Sequence, residues 1–131
     1  MKKILIIEDN KFLLSLLRAK FLKGGFEVFE AEDGLEGIKK IEEIKPDIIL
    51  LDIILPEKKG FEVMKEIKEN PALSKIPIVI ISNLAQPEDL EKGKKLGALA
   101  YFVKSQVSIE EIVKKIKEIL AKQNFSRSEI G

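Results

Sequence analysis

The chain has 131 residues, enough for one domain around one core. Hydrophobic residues make up 45% of it, and 23 basic against 22 acidic side chains leave a net charge of +1, which argues against disorder and against a nucleic-acid footprint. With no cysteine and no histidine, disulfides, thiol nucleophiles, imidazole bases and Cys or His metal sites are excluded, so acid–base or metal chemistry falls to carboxylates, lysine, tyrosine, hydroxyls or backbone.

Met1-Lys2-Lys3 followed by Ile4–Ile7 has the look of a signal peptide, but the apolar run is too short and Glu8-Asp9 ends it. It reads instead as a first strand. No stretch reaches the ~20 apolar residues that span a bilayer, so a cytoplasmic protein without a membrane partner is expected. Phe12 to Leu22 reads as a helix, rich enough in apolar residues to pack deeply, and Gly24-Gly25 closes it. Val28–Phe29 is the second strand. Leu35, Ile38, Ile41 and Ile44 recur at helical spacing until Pro46 blocks continuation.

Ile48–Leu51 and Ile78–Ile81 are unbroken β-branched or Leu runs rather than alternating ones. Such strands are buried on both faces and belong to a parallel sheet between helix layers. The helix from Pro87 to Leu96 is the poorest. Its apolar stripe is thin, and Gly93 inside it costs ~1 kcal/mol relative to Ala, which would suit an element that must move. Leu99–Val103 is the fifth strand. Ser108 and Glu111 form a capping-box pattern opening a last helix with Ile109, Ile112, Val113, Ile116, Ile119 and Leu120 on one stripe. Residues 122–131 are a polar tail expected to fray. Five strands alternating with five helices imply right-handed crossovers and a doubly wound α/β fold, with helices on both faces of a parallel sheet.

In such sheets ligands bind beyond the carboxyl ends of the strands. Strand one is followed by Glu8 and Asp9, strand three by Asp52, strand four by Ser82 and strand five by Lys104, while strand two ends in nothing reactive. Asp52 interrupts an apolar run, where an unpaired charge would be costly to bury. Asp9 has two readings: a helix cap, or a member of a carboxylate cluster with Glu8 and Asp52. Three carboxylates at one edge repel unless a cation sits among them, and oxygen-only ligands favour a hard ion such as Mg²⁺. Ser82 and Lys104, ordinary strand-end residues singly, face that cluster and could bind phosphoryl oxygens. Tyr101 is read either as packing or as a switch.

Together these residues resemble the receiver domain of two-component response regulators. The matching stretches are Ile4–Asp9, Pro46–Pro56, Gly60-Phe61-Glu62, Ile76–Ser82 and Gly97–Lys104, and the likeness covers residues 2–121. The resemblance implies a flavodoxin-like five-stranded sheet of order 2-1-3-4-5. It implies that Asp52 is the phospho-acceptor. The metal, Mg²⁺ or Mn²⁺, is held by Asp9, Asp52 and the backbone carbonyl of Ile54, with Glu8 acting through a water. Ser82 matches the hydroxyl that contacts the phosphoryl group, Lys104 the ion-pairing lysine and Tyr101 the aromatic that turns inward. The implied donor is a phosphohistidine on a sensor histidine kinase or phosphotransfer protein. The output is a changed surface on the fourth helix, fifth strand and fifth helix, offered to a downstream protein by a monomer or weak dimer rather than by a turnover enzyme.

Three departures from the family pattern stand out. Ser105 follows Lys104 where proline is usual, Asn83 replaces a small residue after Ser82, and Ile54 and Leu84 are apolar two positions past Asp52 and Ser82. The last pair is expected to hinder an attacking water and prolong the phosphorylated state. The runner-up reading is a receiver-like binding module that acts without phosphorylation, with Asn83 and Ser105 as its signs. A flavin binder is disfavoured because Glu8-Asp9 would repel a phosphate after strand one, and an aspartyl phosphohydrolase because Ile54 stands where its second Asp is needed.

Overall fold

Alternate residues of a strand point to opposite faces, so an unbroken apolar strand must be covered on both sides. That is how the sheet is built in the computed structural model, which describes the backbone of residues 1–130 and the side chains of residues 1–123. The elements run β1 (Lys3–Ile7), α1 (Lys11–Lys23), β2 (Glu27–Ala31), α2 (Gly34–Ile44), β3 (Ile48–Leu51), α3 (Gly60–Glu69), β4 (Ile78–Ser82), α4 (Pro87–Lys95), β5 (Ala100–Val103), a short 3₁₀ turn (Lys104–Gln106) and α5 (Ile109–Ile130). The five strands lie in the order β2-β1-β3-β4-β5, every pair parallel.

Register and parity divide the core into two layers. Ile4, Ile6, Ile48, Leu50, Val79 and Ile81 face α1 and α5, where Leu17, Phe21, Ile112 and Ile116 are sealed against them. Leu5, Ile7, Ile49, Leu51, Ile78 and Ile80 face the other way, onto Ile41 of α2 and Val63, Met64 and Ile67 of α3. Each fully buried aliphatic side chain contributes roughly 1.5–3 kcal/mol, so β1, β3 and β4 are the mechanical centre from which the strand ends project.

Several local expectations changed. Helix α1 packs deeply along one stripe only: Leu14, Leu17 and Phe21 are buried, but Phe12 is 74% and Leu22 54% exposed. One helix on one face of a sheet buries a single stripe, and the remaining apolar residues point outward. Strand β2 is longer than its two apolar residues, because pairing of Glu27–Ala31 with Lys3–Ile7 recruits Glu27 and Glu30 at an edge with one neighbour. Strand β5 begins at Ala100, although the Leu99 N–H still donates to the Ile78 carbonyl. The capping box of α5 forms in both directions between Ser108 and Glu111. Helix α2 ends on Lys45 in the left-handed region (φ 49°), just before Pro46. Helix α5 continues past residue 121 without a break, and the tail expected to fray falls almost wholly outside the described side chains.

Candidate functional site

The carboxyl ends of β1 and β3 are tied together by the sheet itself. The Asp52 N–H donates to the Ile7 carbonyl and the Glu8 N–H to the Ala31 carbonyl, each at 3.0 Å, so the two carboxylates emerge side by side. Both are buried, Glu8 completely and Asp52 to within 3%. Buried charge is tolerated only when paired and hydrogen-bonded, and Asp52 meets that condition on both oxygens. Its Oδ1 accepts from the Ile53 N–H at 2.7 Å and the Ile54 N–H at 3.3 Å, and its Oδ2 accepts from Lys104 Nζ at 2.8 Å.

Glu8 is less well served. Its Oε2 accepts from the Asn10 N–H at 2.9 Å. Its Oε1 lies 2.8 Å from Lys104 Nζ, yet that approach is not directed as a hydrogen bond, and Oε1 has no hydrogen-bond partner. Burial pushes the Glu8 carboxyl above its usual range, against the opposing pull of Lys104. Burial alone would lower the Lys104 ammonium, but the hydrogen bond to Asp52 and the ion pair with Glu8 together outweigh it and hold the group up. One lysine thus serves two carboxylates, leaving a local excess of negative charge.

Asp9 adds a third. It is exposed, and carboxylate oxygens of Glu8, Asp9 and Asp52 all lie within 4.8 Å of one another. The capping role considered for Asp9 belongs instead to Asn10, whose Oδ1 accepts from the Leu13 N–H at 3.0 Å. Asn ranks with Asp as an N-cap, and that preference could have identified it. Three carboxylates, one orphaned buried oxygen and no nitrogen or sulfur donor fit a hard divalent cation of the Mg²⁺ or Mn²⁺ kind. The Ile53 carbonyl is taken by the Gly60 N–H at 2.8 Å, whereas the Ile54 carbonyl receives no backbone N–H among the described residues.

Two glycines shape the loop that carries Asp52, and the sequence pattern alone assigned them no such task. A Cβ on Gly60 would stand 2.3 Å from the Asp52 carbonyl oxygen, and one on Gly34 would stand 1.8 Å from the Lys58 carbonyl oxygen. Backbone approaches this close admit only glycine. The loop is pinned at one end by α3 and at the other by the start of α2, whose Gly34 N–H donates to the Pro56 carbonyl.

Ser82 and Tyr101 meet at one residue, Leu84. Ser82 is buried, and its Oγ accepts from the Leu84 N–H at 3.2 Å. The Tyr101 hydroxyl donates to the Leu84 carbonyl at 2.7 Å. Ile54 is 52% exposed beside Asp52, and Asn83 is exposed. The peptide bonds of the described residues are all trans, and Ser105 lies in the 3₁₀ turn that still delivers Lys104 to both carboxylates. Glu8, Asp9, Asp52 and Lys104 therefore converge at one edge of the sheet, while Ser82, at the end of β4, and Tyr101 are joined through Leu84.

Comparison with known proteins agrees with this geometry. The family model for the response regulator receiver domain matches residues 4–117. The polar-differentiation response regulator DivK of Brucella anthropi is 34% identical over 119 residues, covering 91% of this chain and 96% of that regulator. The gliding motility regulatory protein of Myxococcus xanthus is 33% identical over 117 residues, 89% of this chain but only 15% of that much longer protein. Among solved structures, a phosphorylated cyanobacterial phytochrome response regulator, RcpA, superposes with a TM-score of 0.78 at 31% identity, covering 90% of each chain.

Proposed function

The chain belongs to the response regulator receiver domain family, and from that premise we propose that it is a signalling switch in which Asp52 accepts a phosphoryl group from a phosphohistidine. The observation that carries this reading is the buried Asp52 carboxylate, held by Lys104 at 2.8 Å with oxygens of Glu8 and Asp9 within 4.8 Å. In the transfer, an Asp52 oxygen forms a bond to phosphorus while the phosphorus–nitrogen bond of the donor imidazole breaks. The donor resides on a sensor histidine kinase or phosphotransfer protein.

Each residue of the cleft has a part in that step. The Ile53 and Ile54 N–H groups orient the carboxylate, so little reorganisation is needed at the moment of attack. Lys104 offers its ammonium to the developing charge on the phosphoryl oxygens. The Ser82 hydroxyl, now an acceptor for Leu84, can turn and donate to a phosphoryl oxygen. Asp9, Asp52 and the Ile54 carbonyl would hold Mg²⁺ or Mn²⁺, with Glu8 acting through a water. A cation bound there would offset the negative charge gathered when phosphate meets three carboxylates. Once Ser82 is drawn toward the phosphoryl group, the Leu84 peptide loses its acceptor and the Tyr101 clasp is disturbed. The face made by α4, β5 and α5 then presents a changed surface to a protein target. Among the described residues no helix is long and apolar enough to cross a membrane.

The test is incubation with Mg²⁺ and acetyl phosphate followed by intact mass. One added phosphoryl group is expected in the wild-type chain and none in Asp52→Asn. Labelling that persists in Asp52→Asn would refute the assignment of Asp52, and wild-type protein that stays unlabelled would point to a module working without phosphorylation.

A further inference from the structure

Gly93 lies in the last turn of α4 and is buried. Its hydrogen faces β4 and β5 where Ile80 and Tyr101 stand as paired neighbours across the sheet. An added Cβ would come within 2.8 Å of Ile80 Cδ1, 3.1 Å of Tyr101 Cδ2 and 3.4 Å of Tyr101 Cε2. Ile80 is sealed in the core at zero exposure, whereas Tyr101 is only partly buried. Of the two groups crowded by a new methyl, the aromatic ring is therefore the one with somewhere to go. The ring's place matters because its hydroxyl donates to the Leu84 carbonyl, on the same residue whose N–H donates to the buried Ser82 hydroxyl.

We propose that the missing side chain of Gly93 is the seat of Tyr101, and that this seat holds the β4–α4 loop beside Asp52 through the Leu84 carbonyl. Gly93 touches no reacting atom and is a positioning residue acting through Tyr101. This deepens, and rests on, the reading of Tyr101 as the switch aromatic. Filling the seat moves the ring outward, opens the clasp on Leu84 and shifts the resting chain away from the arrangement that strand β5 now holds.

Tyr101 is the sole tyrosine and the chain has no tryptophan, so tyrosine emission reports this one ring. The experiment is acrylamide quenching of that emission on the full chain, without any phosphodonor. In Gly93→Ala the quenching constant rises above the wild-type value. An unchanged constant in a Gly93→Ala protein that is folded by far-ultraviolet circular dichroism overturns the proposal. If Gly93→Ala does not fold, Ile80→Val with Gly93→Ala, relieved of the shorter contact, carries the same comparison against Ile80→Val alone. The measurement reads the resting protein, so it stands or falls separately from phosphorylation: an unchanged constant in a chain that still takes the label at Asp52 removes the seat and leaves the acceptor.

Discussion

Lys104 Nζ lies 2.8 Å from Asp52 Oδ2, across 52 positions of sequence, and the same nitrogen lies 2.8 Å from Glu8 Oε1. Removing it leaves two buried carboxylates with no cation between them. Lys104→Met is therefore expected to destabilise the metal-free protein by about 1–3 kcal/mol, the usual consequence of orphaning a buried polar partner. The urea midpoint with and without Mg²⁺ checks this, and added Mg²⁺ should recover part of the loss.

The same excess of negative charge predicts that divalent cations stabilise the wild-type fold. A ligand that binds only the folded state adds about 2.7 kcal/mol at a hundredfold excess over its dissociation constant. Thermal melting across a Mg²⁺ series should rise accordingly, and Asp9→Asn and Asp52→Asn should flatten the response. A wild-type melting point indifferent to Mg²⁺ would contradict the cation site.

Tyr101 gives a pH prediction. Burial first and the charge of Asp89 second push its phenol above the ordinary value of 10.0, against the opposing influence of the Ser82 hydroxyl. The fold prefers the neutral phenol, so this contribution to stability is complete below the ordinary value and is lost as pH rises through the raised one. Because there is one tyrosine, phenolate absorbance follows it directly. The midpoint should lie higher in the folded chain than in urea.

Ile54 and Leu84 stand two positions past Asp52 and Ser82 as apolar side chains, Ile54 52% exposed and Leu84 half-buried. Neither can orient a water. Exchanging both for Gln should speed loss of the phosphoryl group by about tenfold, or ~1.4 kcal/mol of barrier. Intact mass followed over time after removal of donor measures it, and equal lifetimes would dismiss the role of this pair.

Gly60→Ala tests the loop. Its Cβ would stand 2.3 Å from the Asp52 carbonyl oxygen, an overlap with backbone that no rotamer relieves. A loss of about 1–3 kcal/mol is expected, as for overpacking in a core, together with slower labelling at Asp52. Stability equal to wild type would show that the loop has more room than this contact implies.

Much of this protein was legible in the chain itself. The unbroken runs Ile48–Leu51 and Ile78–Ile81 required cover on both faces, and that requirement, with strict alternation of strand and helix, determined a parallel sheet between helix layers. The strand-end rule then brought Glu8, Asp9, Asp52, Ser82 and Lys104 to one edge, because their positions depend only on where each apolar run stops. Other features depend on neighbours distant in sequence, and only tertiary packing decided them. Phe12 has the composition of a core residue but lies outside the single stripe that α1 buries. Asp9 and Asn10 are both good caps, and the turn geometry chose Asn10. Gly93 reads as a weak point of α4 until Ile80 and Tyr101 are seen to fill the space its side chain would need. Periodicity records which residues avoid water, whereas the contact each one makes is settled by the elements that the fold brings against it.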